Sequence, residues 1–244
     1  MALVDFQTSL AHLVRAANGA DRPVVGSLSV DERAYLGGLT ENPAFRFTVR
    51  VQRSWCVARA AKAAYLTLSI LRCSQRELLL QEWVDSGGGT HSFVGAESAS
   101  FLEFIANRLA DPSHELTICR MELAALRSSE GSLRFTSPVP SRLDSPGCLL
   151  QRGRFAGVVR FYAEPQQVLS AFAKREPRPP ISTDVTSLLF GPGFDRLYTK
   201  AVARELALYE RLQSLAPATQ LIREGFDRET ILRLLDAGVL EYAE

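Results

Sequence analysis

The chain has 244 residues, 46% of them hydrophobic and 23% charged, a balance that supports a buried core and excludes disorder as the main state. With 28 Lys and Arg against 27 Asp and Glu, the whole-chain field offers no strong pull toward nucleic acid or an anionic membrane. The cysteines, Cys56, Cys73, Cys119 and Cys148, form no Cys-x-x-Cys pair, and Met1 to Leu10 has no basic segment leading into an apolar run, so the reducing cytoplasm is the expected compartment.

Leu3, Phe6, Leu10, Leu13 and Val14 recur at helical steps and predict a first helix ended by Asn18-Gly19, with a turn-rich segment from Asp21 to Gly26 after it. Ser29-Val30-Asp31-Glu32 reads as a capped start of a short helix to about Leu36, broken by Gly37-Gly38. From Pro43 to Leu80 the chain is rich in Ala and Leu and predicts one or two long helices, with Trp55, Ala58, Ala61, Tyr65 and Leu68 on the buried face. Within it, the apolar stretch Trp55 to Cys73 is interrupted by Arg59 and Lys62, so no membrane span is expected. A Gly-rich loop at Ser86 to Thr90 precedes a helix around Phe101, Phe104, Ile105 and Leu109. Asp111-Pro112 then predicts the cap and first position of a helix running to Arg127.

After Glu130 the sequence is dominated by Ser, Pro, Gly and Arg up to Gly153, which predicts a linker over 131–153 between a helical domain, 1–130, and a second domain, 154–244. In the latter, Arg154 to Tyr162 and Val185 to Phe190 read as strands with a helix from Pro165 to Lys174 between them. Further helices are expected at Phe194 to Leu215, Pro217 to Arg223 and Asp227 to Asp236, followed by an exit at Gly238. The fold class is therefore mainly α with a small β element.

Catalytic signatures are scarce. There is no Gly-x-Ser-x-Gly elbow, the histidines are His12, His91 and His114, and neither metal-ligand spacing nor a P-loop ending accompanies Gly87-Gly88-Gly89. Between Arg46 and Arg76 seven cations, among them Arg46, Arg50 and Arg53 near one helical stripe, occur without an Asp or Glu. They form either a solvated helix face or a cradle for an acidic peptide. The polar run from Asp111 to Glu122 is either a helix start or a binding surface. Ile222 to Leu240 is similar to the last helix and exit of a winged-helix unit, yet acids slightly outnumber bases from Asp195 onward, which disfavours DNA.

The run His114-Glu115-Leu116-Thr117-Ile118-Cys119-Arg120-Met121-Glu122-Leu123-Ala124, the strand Val158 to Tyr162, and Leu189-Phe190-Gly191-Pro192-Gly193 before a long helix resemble the TglI- and MbnC-like partner proteins of multinuclear iron-dependent oxidases. The resemblance implies a non-catalytic subunit with a helical bundle and a winged-helix-like peptide-recognition domain. It would bind a ribosomally made precursor peptide and present its cysteine to a separate oxidase that carries the iron. This chain itself would hold no cofactor. On the TglI side the expected chemistry is excision of the cysteine β-carbon in thiaglutamate biosynthesis. The peptide is then expected as a strand beside Phe155, Val158, Arg160 and Tyr162, helped by Arg46, Arg50 and Arg53, with His114, Arg120 and Glu122 toward the partner. The alternatives are a winged-helix DNA-binding regulator, a scaffold for other proteins, and an enzyme whose polar residues meet only in the fold.

Overall fold

Ser29, Asn42, Ser113 and Asp227 each stand one residue before a helix and accept a backbone N–H of its first turn with the side chain. The computed structural model describes residues 2–15, 28–88, 96–145 and 147–243, and the chain divides into two compact units, Met1–Asn107 and Arg108–Glu244. The expected stop at Asn18-Gly19, the turn at Asp21 to Gly26, Gly89 and His91 lie outside the described residues. The class is mainly α with a small β element, as expected, and that element is two three-stranded sheets.

The first unit contains α1 (Ala2–Arg15), α2 (Val30–Glu41), α3 (Pro43–Ala63), α4 (Tyr65–Ile70), α5 (Cys73–Asp85) and α6 (Ala96–Ala106). Ser29 and Glu32 form a reciprocal capping box at α2, which holds the Glu32 carboxyl below its ordinary range by hydrogen bonds from Ser29. This helix runs through Gly37-Gly38 and stops only at Asn42, where Pro43 opens α3. Two glycines weaken a helix by about 1 kcal/mol each but, unlike proline, remove no hydrogen bond.

α3 packs against all five other helices, and its inward face is Cys56, Ala60 and Ala64. Trp55, Ala58 and Tyr65, expected inside, point to solvent. Both faces are apolar enough to satisfy the helical period, and the one with small side chains faces inward because a central helix needs close approach on its buried side. Trp83 and Phe101, 5.0 Å between ring centroids, fill the space beside it with Leu79, Leu102 and Ile105. Glu97 is buried and receives both arms of Arg59, at 2.8 and 3.0 Å.

The second unit begins with α7 (His114–Ser132), followed by a 3-10 turn (Pro140–Asp144), β1 (Leu149–Arg152), β2 (Gly157–Phe161), α8 (Pro165–Lys174), β3 (Thr186–Phe190) and β4 (Tyr198–Lys200). It ends with α9 (Ala203–Arg211), β5 (Ala216–Pro217), α10 (Ala218–Arg223), α11 (Arg228–Asp236) and β6 (Leu240–Tyr242). One sheet has the order β2-β3-β4, the other β5-β1-β6, all antiparallel. The division thus falls after Asn107 rather than after Glu130, because α7 packs on β2. Thr117 donates to the Arg160 carbonyl, Ser128 donates to the Phe155 carbonyl, and a Cβ at Gly157 would lie 3.2 Å from Ala124.

The span 131–153 is likewise no linker, since it supplies β1, the central strand of the second sheet. The succession α9–β5–α10–α11–β6 has the helix–strand–helix–helix–strand order expected for a winged-helix-like part, and its central strand, β1, comes from earlier in the chain. Its core gathers Leu150, Leu208, Ile231, Leu234, Leu235 and Val239. The long helix expected at Phe194 to Leu215 is instead β4 and α9. Leu197 turns the chain at φ 62°, and Ala201 donates to the Ser187 carbonyl at 2.9 Å, which ties this segment to β3.

None of the four cysteines forms a disulfide; Cys56 and Cys119 are buried, Cys148 is half-buried and Cys73 exposed, and burial pushes the Cys148 thiol up. No helix among the described residues is long and apolar enough to cross a membrane.

Arg59→Ala leaves Glu97 as a buried carboxylate without its guanidinium and is expected to cost about 3 kcal/mol, read as a lower urea midpoint that Arg59→Ala/Glu97→Ala partly restores. In the second unit Asp227 accepts from the Thr230 N–H at 2.6 Å and the Thr230 hydroxyl at 2.9 Å, which holds its carboxyl below the ordinary range. A lowered carboxyl stabilises the fold above the unfolded value, about 3.9, and loses that contribution as pH falls through the folded value. Acid titration of thermal stability should therefore show a loss below about pH 4 that is smaller in Asp227→Asn.

Candidate functional site

The outward backbone groups of β2 alternate with those that pair with β3, so an added strand would use residues 158, 160 and 162. Two of the carbonyls are taken. Arg160 accepts from Thr117 of α7, and Tyr162 accepts from the Ser182 N–H at 2.7 Å. A helix and a returning loop thus cover the edge on which the sequence placed the peptide, a common way of closing a strand edge.

The side chains named there are dispersed. Phe155 lies under the Arg154 guanidinium at 5.0 Å, Val158 packs on the second unit's core, and Arg160 pairs with Glu210 at 2.6 Å. Tyr162 donates to Asp111 at 3.0 Å, and burial together with that carboxylate pushes its phenol up. Asp111 also pairs with Arg120 at 3.3 Å, so Tyr162 and Arg120 meet there, whereas Glu122 is half-buried elsewhere on α7. His114 is buried with its Nε2–H toward the Pro179 carbonyl at 2.8 Å, a contact that fastens the proline-rich segment to the start of α7. It has no exposed surface to offer a partner. In the first unit Arg46 pairs with Glu41 at 2.9 Å and Arg53 with Asp85, while Arg50 is exposed with no ion pair among the described residues. The expected stripe is therefore largely internal ion pairing, its acids coming from Glu41 and α5.

A different edge has no strand paired to it among the described residues, although Leu240 on it is buried and only its Tyr242 end is partly exposed. In the β1–β6 pair, Gly153 donates to Val239 and Ala243 donates to Leu149, so residues 239, 241 and 243 face β1 and residues 240 and 242 face outward. Among the described residues no backbone group pairs with the outward N–H and C=O of Leu240 and Tyr242. A groove of about 430 Å³ runs beside them, walled on its far side by the segment from Gly131 to Pro138. Its lining mixes polar groups with the half-buried Phe135 ring, and the buried Leu235 and Leu240 lie beneath it.

Three arginines surround this groove. Arg134 and Arg154 are exposed and have no ion pair among the described residues, and Arg142 stacks 4.9 Å from the Tyr242 ring while donating to the Ala243 carbonyl at 3.3 Å. The one carboxylate in the lining, Glu241, is already satisfied by Gln151 at 2.7 Å and by the Arg154 N–H at 3.2 Å. Burial pushes the Tyr242 phenol up, so at neutral pH it stays protonated and donates to the Val139 carbonyl at 3.2 Å. The site offers the outward backbone groups of Tyr242, the Phe135 ring and guanidinium groups, which suits an extended peptide with carboxylates.

No group of three or more His, Cys, Asp or Glu side chains among the described residues could hold a metal ion. Sequence reasoning missed this groove because it lies in the supposed linker. The available signal was charge: from Gly131 to Phe161 there are five arginines, and Asp144 is the only acid. Comparison with models of protein families, with curated proteins and with solved structures finds no match.

The path of β6 depends on Gly238, which joins it to α11 at φ 65° and where a Cβ would come within 2.6 Å of the Pro192 ring and 2.8 Å of Phe135. Gly238→Ala combines a left-handed backbone with overpacking and should destabilise the second unit by about 2–4 kcal/mol. Urea unfolding followed by far-UV circular dichroism checks this.

Proposed function

We propose that this chain is a peptide-binding accessory subunit that presents a peptide to a separate enzyme. An extended, carboxylate-bearing segment lies in the groove along β6, its backbone meeting Tyr242 and its acids meeting Arg134, Arg142 and Arg154. One observation carries this reading: a groove of mixed polar and apolar lining runs beside the unpaired side of β6 and is ringed by arginines, two of which have no ion pair among the described residues. The resemblance of the 114–124 and 158–162 segments to partner proteins of multinuclear iron-dependent oxidases supplies the enzyme class. On that basis the peptide is a ribosomally made precursor, its cysteine is modified by the oxidase, and the iron belongs to the oxidase.

A DNA-binding role for the winged-helix-like part is less well supported. Two arginines of α11 are engaged, Arg228 with Asp144 and Arg233 with Glu205, which lowers the positive charge α11 offers to phosphate.

Coexpression with a candidate oxidase and its precursor peptide, followed by affinity purification and peptide mass measurement, tests the role. The expected result is a complex and a mass change that both need this chain. Turnover of the peptide by this chain alone would overturn the reading. For the groove, Arg134→Glu/Arg154→Glu should weaken peptide binding about tenfold or more in calorimetry, with a steeper loss at low salt. Peptide N-methylated at the residues facing β6 should also bind less tightly, because it lacks the backbone donor that meets Tyr242.

A further inference from the structure

The outward face of α3 carries a line of apolar side chains flanked by polar and basic ones. Phe47, Val51 and Trp55 follow one another at four-residue spacing, 66, 38 and 62% exposed, with Ala58 beside them. Large apolar side chains in one line form a ridge of the kind that helices interdigitate. Aromatic residues at such positions are the usual anchors of an interface.

Charge decides what fits the ridge. From Asn42 to Arg76 the chain has no Asp or Glu. Arg46, Arg53 and Arg59 are occupied by Glu41, Asp85 and Glu97, but Arg50, beside the ridge, and Lys62, at its far end, have no ion pair among the described residues. The face offered to an incoming molecule is thus apolar with unopposed positive charge. A second copy laid antiparallel with Phe47 against Trp55 puts the two-fold at Val51 and brings the two Arg50 side chains toward each other, a like-charge contact that self-association would have to overcome.

We propose that this face docks an amphipathic helix of a partner protein whose apolar stripe is flanked by carboxylates. The site is in the first unit and does not depend on peptide capture at β6, so the two readings can fail separately. The partner's apolar side chains pack between Phe47, Val51 and Trp55, and its acids pair with Arg50 and Lys62.

Trp55 reports on the test directly, since the chain has two tryptophans and the other, Trp83, is buried. The full chain is titrated with a synthetic helical peptide of about 18 residues carrying a Leu stripe flanked by Glu, and with a twin in which every Glu is Lys. The expected result is a saturable blue shift of Trp55 emission with the Glu peptide, at about tenfold or more higher affinity than the Lys twin. Arg50→Glu/Lys62→Glu should reverse that preference, and Phe47→Ser/Val51→Ser should abolish the shift with unchanged circular dichroism. Equal response to both peptides, or none, overturns the proposal. So does a dimer in sedimentation whose Trp55 emission is already blue without peptide, which would make a second copy the occupant.

Discussion

The packing of α7 on β2 is the contact around which the second unit is arranged. Thr117 and Ser128 use their hydroxyls to satisfy strand carbonyls, and Gly157 lets the helix come within reach of Ala124. A buried hydroxyl paired in this way avoids the desolvation cost that an orphaned carbonyl would carry. The same contact removes β2 from use as a docking edge. Anchored there, α7 also delivers the chain at Gly131 to the side of β6, so the wall of the groove begins where the helix ends.

Arginine serves two purposes in this protein, and the partner of each guanidinium distinguishes them. Arg53, Arg59, Arg160 and Arg228 each reach a carboxylate distant in sequence and act as internal fasteners. Arg50, Arg134 and Arg154 remain without ion pairs among the described residues and keep their charge for something outside the chain. A near-neutral whole hides this, because ion pairs cancel most of the charge locally and leave small regions positive.

Local chemistry was legible and long-range chemistry was not. The Ser29 and Asp227 caps, the Pro165 start of α8 and the β-branched and aromatic run of β2 could all be read from neighbouring residues. The orientation of α3 could not, because two apolar faces satisfy the same period and only the packing of five neighbours chooses between them. Strands β1, β4, β5 and β6 have two to four residues each, too short to show alternation. The groove depends on β1 meeting β6: Gln151 bonds to Glu241 across 90 positions of sequence, a pairing no local window contains. Of the residues expected at the site, Phe155 borders this groove, while Val158, Arg160 and Tyr162 belong to the helix-covered strand.

The distribution of thiols has a practical consequence. Three of the four cysteines are wholly or partly shielded, and burial keeps the Cys148 sulfur in its less nucleophilic protonated form. Cys73, at the start of α5, is left as the outward thiol of the native sequence. A limiting amount of maleimide dye would therefore favour one position in the helical unit, giving a fluorophore attachment point without any engineered cysteine. Energy transfer from that dye to a labelled ligand would then read distances on the unaltered chain.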